Sequence, residues 1–135
     1  MRHVLDTNIA VAAMNGIPAV RSRLSQVKAT DVGIPLVAVA ELIYGAHVSQ
    51  RRDENLSRVA TLRRSIPTLP LTDQIVDRYG ATRAALRARG VSKSDFDLLI
   101  ASTALEQDAV LVTDDRALLD GTIAGLKVEN WLALP

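Results

Sequence analysis

The run Ala109-Val110-Leu111-Val112-Thr113 narrows the possible folds more than any other stretch of this chain. Its apolar residues follow one another without polar alternation, so the strand they form needs burial on both sides. A parallel sheet covered by helices on both faces meets that demand. An antiparallel sheet with one wet face does not. The rest of the sequence agrees, because short apolar runs alternate with longer stretches of helical periodicity.

His3-Val4-Leu5-Asp6 reads as a short buried strand, with a helix beginning over Ile9 to Met14. Pro18 suits the first position of a helix running to about Lys28. Gly33-Ile34-Pro35-Leu36 is a second brief strand, and Ala38, Leu42, Ile43 and Ala46 place a helix over Val37 to Ser49. Asp53 is expected to cap a helix through Arg64. Ile66 to Leu71 is extended, and Pro67 and Pro70 predict a sheet edge. Thr72 or Asp73 caps a long helix, Gln74 to Arg89, which Gly90 closes. Ser94 opens another from Asp95 to Gln107. A short helix at Arg116 to Leu119 and a strand at Leu126-Lys127-Val128 complete the chain. The pattern is that of one α/β domain across residues 1–135 with a mostly parallel sheet. In such sheets, sites form at the carboxyl ends of the strands.

Composition removes several chemistries. The chain has no cysteine, which excludes disulfides, a thiol nucleophile and Cys-ligated zinc. Its two histidines, His3 and His47, supply a His-based triad or metal site poorly. Met1-Arg2-His3 leads into only two apolar residues before Asp6, which is no signal peptide. No apolar run approaches the roughly 18 residues of a membrane span. No membrane partner is expected, and the expected location is the cytoplasm. The net charge of +1 is that of an ordinary globular protein. Of its 16 basic residues 13 are arginine, a bias compatible with phosphate contacts and equally with helix-surface ion pairs.

Hydrolytic chemistry here must therefore rest on carboxylates. Two strands end in acidic turns, Asp6-Thr7-Asn8 and Thr113-Asp114-Asp115. In parallel strands these emerge on one rim. Glu41 lies in "LVAVAELIYGA", where it is the only charge. Asp97 lies in "SKSDFDLLIASTAL", directly before an apolar run. Each has an ordinary alternative use. Asp6 or Asp115 can cap a helix, Asp97 can complete a capping box with Ser94, and an arginine can pair with Glu41. Four carboxylates on one rim, however, repel one another and raise each other's pKa values unless a cation neutralises them. Mg²⁺ or Mn²⁺ suits such an all-oxygen set. Thr7, Asn8 and Thr113 stand where they can orient those carboxylates. The chemistry indicated is metal-assisted phosphodiester hydrolysis.

"VLDTN", "VAELIYGA", "DLLIASTAL", "AVLVTDDRAL" and a closing "LKVENWL" occur in an order that resembles PIN-domain ribonucleases of the VapC type, the toxin half of bacterial toxin–antitoxin pairs. The resemblance covers essentially the whole chain. It implies an α/β/α sandwich and a Mg²⁺- or Mn²⁺-dependent endoribonuclease site. The family's acidic positions fall on Asp6, Glu41, Asp97 and Asp115, with Asp114 a possible substitute for the last. Thr7 and Asn8 match the polar pair after the first acid. Asp95 falls outside the matched positions. The family often carries an aromatic residue after the fourth acid, where this chain has Ala117-Leu118-Leu119. The same resemblance implies an RNA substrate, a cognate antitoxin protein and a homodimer. The segments Asp53 to Arg64 and Gln74 to Arg89 carry apolar residues that face either a partner or the core.

Other readings fit less well. A signalling receiver domain needs a phosphoacceptor aspartate closing a middle strand, and neither Gly33-Leu36 nor Ile66-Leu71 ends in one. A haloacid-dehalogenase-like phosphatase needs Asp-x-Asp at the first strand, where this chain offers Asn8. The remaining alternative is a catalytically inactive PIN-like module that binds RNA or protein.

Overall fold

In the computed structural model the strand β1 (His3–Leu5) sits at the centre of a five-stranded sheet. The structure describes residues 1–133. Leu134 and Pro135, the end of the expected domain, lie outside the described residues. β2 (Val32–Pro35) and β4 (Val110–Val112) flank β1, while β3 (Thr68–Leu69) and β5 (Lys127–Glu129) form the edges. The order is β3-β2-β1-β4-β5, and every pairing is parallel. The all-apolar run at Val110 thus lies inside the sheet, with Leu111 and Val112 fully buried. The two prolines bracket β3 at an edge, where a missing N–H breaks no ladder.

Seven helices flank the sheet among the described residues: α1 (Thr7–Met14), α2 (Pro18–Ser25), α3 (Leu36–Val48), α4 (Arg52–Ser65), α5 (Asp73–Ala88), α6 (Asp95–Glu106) and α7 (Arg116–Leu119). α1, α2 and α4 pack as one group, α5 packs on α6, and α3 touches α4 and α6. The result is the α/β/α sandwich expected from the sequence.

Boundaries differ from expectation in instructive places. β2 starts at Val32 because His3 pairs with that residue, and Leu36 already belongs to α3. Pro35 ends the strand and leads directly into the helix. Asp53 does not cap α4. Arg51 occupies that position without a side-chain bond, and Asp53 sits in the first turn, where its charge favours the helix N-terminus. Thr72 does cap α5, its hydroxyl accepting from Ile75 N at 3.2 Å.

A Cβ on Gly33 would stand 2.8 Å from the Leu69 side chain, so glycine lets the edge strand close on β2. The final motif clasps the other edge. Trp131 is buried against His3, with ring centroids 5.4 Å apart, and Arg23 of α2 lies 5.3 Å over its ring. The indole N–H donates to Glu129, which also pairs with Arg23 at 2.9 Å. "LKVENWL" is accordingly a structural closure rather than a chemical motif.

Leu111 lies wholly inside this core. Leu111→Ala is expected to lower the unfolding free energy by about 2–5 kcal/mol, measured by urea denaturation. A loss below about 1 kcal/mol would contradict its central placement.

Candidate functional site

β1 and β4 are neighbours, yet the chain leaves β1 toward β2 and returns from β3 to β4. The sheet therefore reverses its winding between them, the position at which open α/β sheets form their crevice. Leu5 pairs with Val112, so Asp6 and Thr113 leave the rim side by side. The Thr113 hydroxyl donates to Asp6 Oδ2 at 2.7 Å. The other oxygen, Oδ1, accepts from Thr7 N at 2.8 Å and caps α1. One carboxylate thus performs the capping task and faces the crevice as well. Asp6 is only 5% exposed.

α3 begins where β2 ends, which brings Glu41 in its second turn back over the same rim. Its Oε1 accepts from the Thr7 hydroxyl at 2.6 Å. α6 starts at the rim, with Ser94 capping it by accepting from Asp97 N at 3.1 Å. Asp115 caps α7 by accepting from Ala117 N at 2.9 Å, and its own N–H donates to Thr113 Oγ1 at 3.0 Å. Thr113 therefore links the first and fourth acids.

The four acids feel one another. The Asp6 carboxyl is held above its usual range by burial, with the charges of Asp97 and Glu41 adding to the effect; bonds from Thr113 and Thr7 oppose it. Asp97 is pushed up by burial and by the charges of Asp115 and Glu41, against the pull of the Ser94 hydroxyl. Among the described residues no arginine, lysine or histidine forms an ion pair with any of the four. In an arginine-rich chain the rim's charge is thus left unpaired by basic side chains among the described residues.

Other polar residues fall elsewhere. Asn8 donates to Asp114 at 3.3 Å, so this pair is engaged with itself at the exposed edge of the rim. Asp95 turns to α5, where it accepts from the Tyr79 hydroxyl at 2.7 Å and meets Arg83 at 3.1 Å. One contributor left no signal in the sequence. The Lys93 side chain is 3% exposed; its ammonium bonds Ala117 O and, at 2.8 Å, Asp120 Oδ2. It ties the segment before α6 to α7, and so links the elements carrying Asp97 and Asp115.

The donor set, carboxylates and hydroxyls alone, matches a hard divalent ion. Among the described residues no three His, Cys, Asp or Glu side chains converge closely enough to enclose an ion unaided. A cavity of about 260 Å³ adjoins Thr7 and Glu41 and continues past Asn55 and Arg58. A larger groove of about 510 Å³ between α1, α2 and α4 touches none of the four acids.

The family model of the PIN domain matches residues 3–121. This chain belongs to the PIN-domain family. It is 32% identical over 133 residues to "Ribonuclease VapC2" of Rickettsia felis, covering 97% of this chain and 98% of that protein. It is 30% identical to the "tRNA(fMet)-specific endonuclease VapC" of Shigella flexneri, covering 97% and 98%. Among solved structures, VapBC2 from Rickettsia felis bound to a promoter DNA fragment superposes with a TM-score of 0.87 at 31% identity, over 97% of this chain and 99% of that one. DNA-bound VapBC from Salmonella typhimurium gives 0.90 at 27% identity, over 97% and 98%. The VapC-type resemblance read from the sequence motifs is borne out.

The raised carboxyls carry a stability signature. Their folded pKa values exceed the ordinary 3.8, so the folded chain binds protons there more tightly than the unfolded one. Ionisation consequently destabilises the metal-free fold above the folded pKa, and the penalty fades as pH falls toward the unfolded value. In chelator-treated protein Asp97→Asn is expected to raise the thermal midpoint at pH 7.5, by an amount that shrinks on acidification. A pH-independent effect, or a lowered midpoint at pH 7.5, would refute the electrostatic account.

Proposed function

We propose that this chain is a Mg²⁺- or Mn²⁺-dependent endoribonuclease and the toxin of a toxin–antitoxin pair. The observation that carries the reading is the set of four mutually repelling carboxylates at the sheet's winding reversal, none balanced by a basic side chain among the described residues. The ribonuclease names of the relatives and the toxin–antitoxin complexes among the structural neighbours support it.

Asp6 and Asp97 would hold the ion, with Glu41 and Asp115 completing the oxygen set directly or through water. When bound, the ion supplies a lowered pKa for water and neutralisation of charge at the phosphoryl group. The chain's own part is positional. Thr113 fixes Asp6, and Thr7 fixes Glu41 while its backbone N–H holds Asp6. Thr7 thereby sets the spacing of two acids with one residue. Asn8 acts at one remove, by holding Asp114. Water adds to the scissile RNA phosphorus in line with the departing oxygen, above the rim these residues define. Asp6→Asn and Asp97→Asn are each expected to reduce cleavage of RNA by more than the roughly 10–100-fold typical of a supporting residue. Added Mg²⁺ should raise the thermal midpoint of the parent protein and raise that of Asp6→Asn much less. Undiminished cleavage by both variants would overturn the assignment. Loss of the Mg²⁺ effect with no cleavage by the parent protein on any RNA would instead identify a binding module.

The partner is a cognate antitoxin that blocks the site and joins the toxin on promoter DNA, and the compartment is the cytoplasm. Self-association uses α3. Leu36, Ala40, Tyr44 and Val48 recur every fourth residue along it and are all exposed, Tyr44 at 69%. They form one apolar stripe. The apolar residues of α4 expected to face either way are mainly internal, with Val59 and Leu62 buried. Sedimentation at micromolar concentration is expected to give a dimer for the parent protein and a monomer for Tyr44→Glu/Val48→Glu. A monomeric parent protein would count against the homodimer.

A further inference from the structure

A second groove, of about 510 Å³, runs between the C-terminal half of α5 and the start of α6. Its floor is apolar, formed by Leu86, Val91 and Leu98, and its walls carry Arg83, Arg87 and Lys93. Lys93 in its wall bonds Ala117 O and Asp120 at the two ends of α7, the helix that Asp115 caps, which sets this end of the groove next to the acidic rim.

The charges there do not cancel. Lys93 is balanced by Asp120, and Arg83 by Asp95. Arg87 is exposed and in no ion pair among the described residues, and Arg89 donates only to the Thr122 carbonyl. Arg83 and Arg87 stand four residues apart on α5 and so project from one face. Arg83 uses Nη1 for Tyr79 and Asp95, which leaves the rest of its guanidinium fork open. Gly80 and Ala84 of α5 also line the groove. No aromatic side chain lines it, so nothing there stacks on bases.

We propose that this groove is the track by which single-stranded RNA reaches the acidic rim, with Arg87 and Arg83 each holding a backbone phosphate. The proposal rests on the nuclease reading above. A strand whose scissile phosphate sits over Asp97 and Asp6 must carry its neighbouring phosphates off the rim, and the groove offers there the unpaired Arg87 and the part of the Arg83 fork that Asp95 leaves open. Arginine's planar fork matches phosphate oxygens. With phosphate contacts and no base stacking, this contribution to binding is independent of sequence and sensitive to salt.

The test measures binding of fluorescent single-stranded RNA oligonucleotides of several sequences to Asp6→Asn protein between about 50 and 200 mM KCl. Adding Arg87→Gln is expected to weaken binding by the same factor for every sequence. It should also reduce the magnitude of the log–log salt slope by about 0.7, one phosphate contact on a single strand. Arg83→Gln/Arg87→Gln should reduce it by about twice that, and Arg64→Gln on α4 should leave it unchanged. An unaltered slope in the double variant overturns the proposal, as does a loss confined to some sequences. Poly-glutamate binding that depends on Arg87 while RNA binding does not would assign the groove to an acidic protein instead, again overturning it. Cleavage assays on the parent protein separate the two readings. Absent cleavage with an intact Arg87 effect removes the nuclease and leaves the RNA track, whereas normal cleavage without an Arg87 effect removes the track alone.

Discussion

The hydrogen bond from Thr113 to Asp6 joins the ends of two adjacent strands at the point where the sheet reverses its winding. Much of the site depends on it. The bond fixes one oxygen of a nearly buried carboxylate whose other oxygen already caps α1, so Asp6 has no freedom to turn away from its like-charged neighbours. The same hydroxyl oxygen accepts from Asp115 N and so sets where α7 begins. A single buried threonine coordinates two acids, a helix start and the seam between β1 and β4.

Capping a helix does not take these acids away from the crevice. Asp6 and Asp115 both cap helices, and Ser94 caps the helix that carries Asp97. Helix N-termini gather at the carboxyl rim because β1, β2 and β4 hand over there to α1, α3 and α7, while α6 starts beside them after α5. Their partial positive charge, together with the N–H groups they direct at the acids, offsets part of the repulsion that burial and proximity create. The fold thus holds four like charges together with dipoles and hydroxyls rather than with counter-charges.

Legibility in the sequence followed the range of the interaction. Parallel strands, helix order, the edge prolines and the Thr72 and Ser94 caps were readable because apolar periodicity and cap chemistry are local. The convergence of the acids was readable once "VTDD" and "VLDTN" were taken as ends of neighbouring parallel strands. Contacts between distant residues left no trace. Nothing in "SKSDF" marks Lys93 as a buried strut to α7, and Asn8 beside Thr7 gives no sign that it turns outward to Asp114 while Thr7 turns to Glu41. Helix and strand ends shifted by a residue or more where a partner decided the register, as His3 did for Val32.

The distribution of arginine shows the same division from the other side. Arg23 goes to Glu129, Arg78 to Glu106, Arg83 to Asp95, and Arg58 to the Met14 carbonyl and the Asn15 side chain. Each of these ties one helix to another element, and none pairs with any of the four rim acids. Were an arginine to reach Asp6 or Glu41, it would relieve the repulsion permanently and stabilise the empty fold, since an opposite charge at close range lowers a carboxyl pKa. It would also occupy the oxygens that a divalent ion needs. Keeping the basic side chains in pairs with other elements leaves the repulsion at the rim unrelieved by this chain's own positive charges. The carboxyls of Asp6 and Asp97 are raised chiefly by burial, with the neighbouring acids adding to it and no opposite charge to offset it.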